Sequence, residues 1–190
     1  MAKVKLNPIL EQIRGKVGDL VFKRYGDEVI ISQKPDLSGH EMSEAQLAAQ
    51  DRFRQAALYG KVVFADPDTK ALYTEAANQK GHPVFSLAVA DFFNAPSVDV
   101  VDLSGYSGAV GDEIVILASD DFDVIIVQVV LTDAEGNLIE SGAAVETPPE
   151  SGRWVYTSTA EVSAGTTVRI AVTAEDRPGG VGEAEEETTL

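Results

Sequence analysis

Hydrophobic and polar positions change their spacing along the chain, and the change predicts helices first and strands afterwards. From Ser43 onward, apolar residues recur at spacings of three and four, which is the period of an amphipathic helix. From residue 98 onward, apolar and polar residues alternate, as in Val168-Arg169-Ile170, and alternation is typical of a half-buried strand. The pattern therefore predicts a helical region followed by a β-region.

The first half of the chain carries the signals of a β-hairpin and of two or three helices. Apolar residues on both sides of Tyr25-Gly26-Asp27-Glu28 predict a hairpin over residues 19–34. Val84–Phe93 is almost continuously apolar, and we interpret it as a short buried helix, with a strand of the same length as the alternative. The helix boundaries are marked by a capping box at Ser43 and Gln46, by Asp66-Pro67 and by Gly81.

The second half shows short strands separated by turn residues. Six such segments at regular spacing are the pattern of a β-sandwich. They are Val98–Leu103, Glu113–Ala118, Asp123–Thr132, Leu138–Val145, Arg153–Thr159 and Thr166–Ala174. The Gly- and Glu-rich residues 177–190 that follow predict a flexible acidic tail.

One predicted strand is apolar on both of its faces. Val124-Ile125-Ile126-Val127 and Val129-Val130-Leu131 leave almost no polar position. One face belongs to the sandwich core, and the other needs a cover. The helical half of the chain and a second copy of the protein are the two candidates for that cover.

Residues 105–176 resemble bacterial immunoglobulin-like and fibronectin type III-like modules. The resemblance is carried by Gly111-Asp112 before a strand, by Gly152-Arg153-Trp154-Val155-Tyr156, and by the stretch from Gly165 to Asp176. It implies an antiparallel sandwich with the tryptophan in its core. It implies no particular activity, because one fold hosts many functions.

Residues 14–60 are similar to an uncharacterised family of bacterial hypothetical proteins with a Gly-Lys-x-Gly segment, here Gly15-Lys16-Val17-Gly18. That family brings no known activity. Together these patterns predict an α+β chain: an N-terminal β-hairpin plus two or three helices, followed by an immunoglobulin-like antiparallel β-sandwich. The expected domains are residues 1–95 and 98–176, with the tail at 177–190.

The formal net charge is −16, and it is concentrated in one half. Residues 1–95 carry 12 Lys/Arg and 12 Asp/Glu, whereas residues 96–190 carry 3 and 19. Since phosphate binding needs clustered Lys/Arg, we expect no nucleic-acid partner.

No apolar run reaches the ~20 residues that cross a bilayer, so we expect no membrane insertion. No apolar signal region follows Met1, which predicts a cytoplasmic protein and leaves export by another route open.

Few residues suit catalysis. The chain has no cysteine and two histidines, His40 and His82, both beside glycines in loop contexts. Neither has a second histidine at helical spacing or a Gly-x-Ser-x-Gly motif nearby. We therefore expect no enzyme activity, no catalytic residue and no cofactor other than calcium.

A cluster of acidic residues suggests one binding site. Asp120, Asp121 and Asp123 share one turn between strands, and Asp176 ends a later strand. Ca²⁺ prefers several carboxylate and carbonyl oxygens, so these four residues are the candidate calcium ligands. The alternative is that the aspartates only shape the turn, which is a common use of Asp in loops.

Two functions from different classes fit these patterns. The first is a non-enzymatic structural protein that self-assembles into a filament, ring or other homo-oligomer through sheet edges and extended termini. The second is a monomeric immunoglobulin-like binding module for a glycan, protein or cation. The aromatic residues considered for stacking on a glycan are Trp154, Tyr156, Tyr106 and Phe122. Core packing is the alternative for them, because the first two share one face of a strand.

Overall fold

The fold is seen in a computed structural model, which describes residues 2–4, 15–25, 28–36 and 41–190. In this part of the chain the polypeptide forms three helices and twelve strands. The helices are Glu44–Ala65 (α1), Pro67–Lys80 (α2) and Val84–Phe93 (α3). The strands are Ala2–Val4 (β1), Gly15–Val17 (β2), Leu20–Tyr25 (β3), Glu28–Gln33 (β4), Ser97–Asp102 (β5), Glu113–Ser119 (β6), Val124–Asp133 (β7), Leu138–Ala143 (β8), Val145–Glu146 (β9), Arg153–Thr157 (β10), Thr167–Asp176 (β11) and Val181–Thr189 (β12).

The chain divides into two compact units, Met1–Leu47 and Ala48–Leu190. This division differs from the predicted domain of residues 1–95, because most helical residues lie in one unit with the later strands. Phe122, in the loop after β6, stacks on Tyr73 of α2 with ring centroids 4.0 Å apart. The contact between these two rings packs α2 against the strand-rich part of the chain. The change in composition near residue 95 therefore does not coincide with the boundary between the units.

The first unit contains a four-stranded antiparallel sheet in the order β1-β4-β3-β2. The predicted hairpin is confirmed, since β3 and β4 pair along their whole length. Its predicted turn, Gly26-Asp27, lies outside the described residues. Gly18 connects β2 to β3 with a φ of 57°, a conformation that glycine adopts without strain.

Local capping signals set the helix boundaries where the sequence places them. The Ser43 amide donates to Gln46 Oε1 (2.9 Å), and the Gln46 amide donates to Ser43 Oγ (3.3 Å), which confirms the capping box. Asp66 caps α2 through the Thr69 amide (3.1 Å), and Gly81 ends it in the left-handed conformation. The third apolar segment is a helix, as predicted. Among the described helices, none is long and apolar enough to span a bilayer.

Two four-stranded antiparallel sheets make up the strand-rich part of the second unit. Their orders are β5-β6-β10-β9 and β12-β11-β7-β8. Alternate side chains of both sheets form one buried cluster, which includes Ile116, Leu131, Ile170 and Trp154. We call these eight strands the two-sheet module.

The prediction of a flexible tail at residues 177–190 is wrong, because most of this stretch is the edge strand β12. β12 pairs with β11 in unbroken antiparallel register along its whole length. Leu190 also packs against the core cluster, and the Gly165 amide donates to its carbonyl (2.7 Å). Strand pairing and burial therefore outweigh the mobility that the Glu-rich composition suggested.

Strand β7 is apolar on both faces, and the two faces differ in burial. Val127, Val129 and Leu131 are fully buried in the core cluster. Ile126 and Val130, on the opposite face, are only half-buried. The outer face of β7 is thus shielded from solvent less completely than its inner face.

Candidate metal centre

Three aspartates from three separate elements converge in the second unit. Asp91 lies on α3, Asp120 in the loop after β6, and Asp176 at the end of β11. One carboxylate oxygen of each lies within 4.8 Å of the others. Asp91 and Asp176 are 0% and 1% exposed, while Asp120 is half-buried. We call these residues the aspartate triad.

Each carboxylate of the triad uses one oxygen to fix its orientation. The donors are the Tyr73 hydroxyl for Asp91 Oδ2, the Gly180 amide for Asp176 Oδ1, and the Phe122 and Asp123 amides for Asp120 Oδ2 (3.0 and 3.1 Å). Backbone amides and a buried hydroxyl are rigid donors, so the three carboxylates have little freedom to turn away from one another.

The second oxygens of the triad have no donor. Asp91 Oδ1, Asp120 Oδ1 and Asp176 Oδ2 are buried and unpartnered among the described residues. A buried polar atom without a partner costs about 1–3 kcal/mol, and more when it is charged. A proton or a positively charged ligand at the triad would offset this cost.

Burial and the charges of neighbouring carboxylates raise the pKa of two residues of the triad, Asp91 and Asp176. Burial raises the pKa of Asp91 to about 7; the hydrogen bond from Tyr73 opposes this rise, and the charges of Asp120 and Asp176 add to it. Burial also raises the pKa of Asp176, against the lowering effect of the two backbone amides beside it. The surroundings of Asp91 and Asp176 therefore favour a positive charge close to their carboxylates.

A chain of hydroxyl groups ties the triad to the helices. Tyr59 on α1 and Tyr73 on α2 share a hydrogen bond between their hydroxyls (2.8 Å), and Tyr73 donates to Asp91 on α3. Burial raises the pKa of Tyr73, so its hydroxyl stays a neutral donor at ordinary pH. The triad is thus the point at which three helices and the two-sheet module are linked by polar contacts.

The structure brings together two of the four predicted calcium ligands. Asp120 and Asp176 belong to the triad. Asp123 does not, because its carboxylate forms an ion pair with Arg177 (3.0 Å) and stays partly exposed. Neighbouring positions in one turn therefore point to different partners, which spacing alone does not reveal.

Asp91 is the triad residue that the sequence prediction missed. It is the one ionisable residue in the almost continuously apolar Val84–Phe93, and a carboxylate in such a run is a signal for a functional site. The predicted ligand Asp121 lies outside the triad. One of its oxygens accepts a hydrogen bond from Asn94 Nδ2 (2.7 Å), and the other is buried without a partner among the described residues.

The other sequence candidates form no exposed site in the described part of the chain. His82 is exposed after α2, and His40 lies outside the described residues. Phe122 packs against the helices. The aromatic residues buried in the core cluster are Trp154, Tyr156 and Tyr106. Packing therefore accounts for all four aromatic rings that were considered for stacking on a glycan.

The donor atoms of the triad restrict the ions that it suits. Ca²⁺ takes roughly six to eight oxygen ligands in flexible geometry, whereas Zn²⁺ and copper sites usually include imidazole or thiolate ligands. The triad offers carboxylate oxygens alone. It therefore suits a hard cation, Ca²⁺ or one of similar size and charge, and the three carboxylates exceed the charge of one divalent ion.

Without a bound ion, we expect the free energy of unfolding to fall as the pH rises from about 4 to about 7. Asp91 has a pKa of about 7 in the folded chain, while an aspartate in an unfolded chain titrates near ~3.9. Between these values the folded state keeps a proton that the unfolded state has lost, so deprotonation favours unfolding. Urea denaturation in EDTA at several pH values measures this slope. Asp91→Asn should flatten it, and an unchanged slope would contradict the assignment.

Distant structural likenesses to this chain include the following two solved structures. No protein-family model matches the chain, and no curated protein matches it. The chain is similar to the crystal structure of CopC from Methylosinus trichosporium OB3b, with a TM-score of 0.38 and 12% identity, over 50% of this chain and 91% of that one. It is also similar to a bromine derivative of BhCBM56, with a TM-score of 0.31 and 19% identity, over 44% of this chain and 85% of that one.

Proposed function

We propose that this chain is a non-enzymatic immunoglobulin-like β-sandwich module that holds a calcium-class cation in the aspartate triad. The observation that carries the proposal is the convergence of three carboxylates, with one oxygen of each within 4.8 Å of the others. Each of the three also has one buried oxygen without a partner among the described residues. A divalent cation would supply the partner that each oxygen lacks and would cancel most of their repulsion.

The strand order supports the immunoglobulin-like assignment. If β5 to β12 are named A, B, C, C′, D, E, F and G in chain order, the two sheets are A-B-E-D and G-F-C-C′. This is the arrangement of immunoglobulin domains that carry the additional strand C′. The single cluster of buried side chains from both sheets also supports a sandwich.

The ion would act as a structural clasp. Its ligands come from α3, from the loop after β6 and from β11, so one ion would cross-link the helices to both sheets. Binding is favoured over catalysis because Asp91 and Asp176 are 0% and 1% exposed, which leaves a substrate no approach to their oxygens. Tyr73 and the backbone amides hold the carboxylates in place before the ion arrives.

Thermal unfolding with and without Ca²⁺ tests the proposal. A ligand present at a hundred times its Kd stabilises the folded state by about 2.7 kcal/mol, so the melting temperature of the EDTA-treated protein should rise by several degrees on adding Ca²⁺. Tb³⁺ gives a second readout, because Tyr73 is hydrogen-bonded to Asp91 and should sensitise its luminescence. Addition of excess Ca²⁺ should then quench that signal.

The matched variants are Asp91→Asn and Asp68→Asn. Asp91→Asn removes a triad charge with little change in shape, and we expect it to abolish both the thermal shift and the Tb³⁺ signal. Asp68 is exposed in the first turn of α2, and its replacement should leave both unchanged. Equal responses of the wild type and Asp91→Asn would refute the site.

Self-assembly is the second candidate function. One of its supports is weaker, because the stretch expected to extend toward a neighbour pairs with β11 of its own chain. The observation that still favours it is the half-buried outer face of β7, which carries Ile126 and Val130.

A further inference from the structure

An aromatic surface lies open on the helices of the second unit. Phe53 stacks on Phe93 with ring centroids 6.4 Å apart, and Phe64 meets Phe85 edge-on at 6.2 Å. Phe53, Phe64 and Phe85 are nevertheless 58%, 43% and 38% exposed. Gly60 lies between the two pairs on α1, where a Cβ atom would come within 2.7 Å of the Phe85 ring. We call the four phenylalanines the aromatic strip.

Three cations surround the aromatic strip. The Arg52 guanidinium lies over the Phe93 ring at 5.2 Å, and the Lys70 ammonium lies over the Phe64 ring at 5.0 Å. Lys61 is exposed one helical turn before Phe64. None of the three pairs with a carboxylate among the described residues. The strip is therefore an apolar surface with unneutralised positive charge.

The outer face of the sheet β12-β11-β7-β8 is negatively charged, whereas the surroundings of the aromatic strip are positively charged. Val130 of β7 lies opposite Ala171 of β11, and Ala171 lies opposite Glu185 of the edge strand β12. Glu183 and Glu187 project to the same side as Glu185, because successive alternate residues share one face of a strand. We call this surface, from Val130 across to the three glutamates, the acidic face.

The charge of the acidic face is only partly balanced within its own chain. Arg169 reaches Glu185 at 2.8 Å and Glu187 at 3.6 Å. Glu183 has no cationic partner among the described residues, and residues 96–190 as a whole carry 3 Lys/Arg against 19 Asp/Glu. A basic, apolar surface is what such a face would attract.

We propose that the aromatic strip of one copy docks on the acidic face of a second copy. The two surfaces complement each other in charge, each includes apolar residues, and both belong to the same chain. Because they are different patches, the contact is heterologous, and repetition of it produces rings or open chains of molecules. This association needs neither the aspartate triad nor its ion.

Sedimentation of the purified chain over a range of concentrations and salt concentrations tests the proposal. We expect oligomers that grow with protein concentration and dissociate as salt screens the charges. Two charge-reversed variants provide the decisive comparison. The helix variant carries Arg52→Glu, Lys61→Glu and Lys70→Glu, and the strand variant carries Glu183→Lys, Glu185→Lys and Glu187→Lys.

Each charge-reversed variant alone should be monomeric, with association weakened at least about tenfold, because its two docking surfaces then carry the same sign. A one-to-one mixture of the two should associate again, since every surface then finds one of opposite sign. The control variant Glu113→Lys, Glu135→Lys, Glu161→Lys changes the net charge as the strand variant does and should still assemble. Circular dichroism melting confirms that each variant is folded.

The aromatic contribution has its own matched pair of variants. Phe53→Ser should weaken association about tenfold by removing buried apolar area from the contact. Leu58→Ser alters a side chain that is 62% exposed and lies roughly 140° around α1 from Phe53, and it should have no effect on association.

A wild type that stays monomeric would overturn the proposal and assign the strip to another acidic partner. A mixture of the charge-reversed variants that fails to associate would overturn it as well. Assembly that persists in Asp91→Asn separates this result from the fate of the ion site.

Discussion

Replacing Tyr73 by alanine should lower the free energy of unfolding by about 3–5 kcal/mol, the usual cost of removing a buried aromatic ring. Tyr73 is fully buried, and its ring stacks on Phe122 at 4.0 Å with an interplanar angle of 14°. The substitution removes that stack and the hydrogen bonds to Tyr59 and Asp91 at once. Urea denaturation followed by circular dichroism measures the loss.

Tyr73→Phe separates the ring from the hydroxyl. It keeps the stack on Phe122 but leaves Asp91 Oδ2 without its donor, and we expect a cost of about 1–3 kcal/mol. The cost should grow with pH, because an ionised Asp91 needs the donor more than a protonated one does. Equal effects of Tyr73→Phe and Tyr73→Ala would show that the aromatic stack contributes little to joining the helices to the module.

Deletion of residues 181–190 should abolish the cooperative unfolding of the two-sheet module. The deletion removes the whole of β12, exposes the hydrogen-bonding edge of β11, and uncovers the part of the core that Leu190 contacts. Calorimetry should show a broad transition or none. A truncated chain that melts like the full chain would restore the interpretation of this stretch as a loose tail.

A point mutation in β12 also tests the contribution of this strand to stability, and it disrupts the structure less than the deletion does. Gly182 of β12 lies against β5, and a Cβ atom at this position would clash with the Pro96 carbonyl oxygen. Gly182→Ala should therefore displace one strand from the other at a cost of about 1–3 kcal/mol. Glu183 is the next residue in β12 and is exposed to solvent. Glu183→Ala should therefore change the free energy of unfolding by less than about 0.5 kcal/mol.

Local signals in the sequence were sufficient for most helix and strand boundaries. Asp66 and Gly81 bound α2 as predicted because a side-chain cap and a left-handed glycine act within one turn of the helix. The alternation around Ile170 likewise marks β11, since inward positions of that strand are fully buried. A side-chain cap, a left-handed glycine and strand alternation all depend on residues that are close together in the sequence, so the sequence alone is enough to predict them.

Contacts between distant segments account for what the sequence did not predict. β12 is rich in glutamate, a residue depleted in strands, but Gly182 and Ala184 are small enough to face β5 while the glutamates face solvent. Asp91 was missed because its partners Asp120 and Asp176 approach it only after the helices pack on the module. The unit boundary was misplaced for the same reason, since Phe122 docks on residues far earlier in the chain.

We expect the wide separation of the triad along the sequence to affect the kinetics of unfolding as well. Asp91, Asp120 and Asp176 meet only when α3, the loop after β6 and β11 are all in place. In the proposed ion complex, most of the stabilisation is then absent from an early transition state in which strands are still pairing. The ion would therefore lower the rate of unfolding, which lengthens the lifetime of the folded chain, and would leave the rate of folding unchanged.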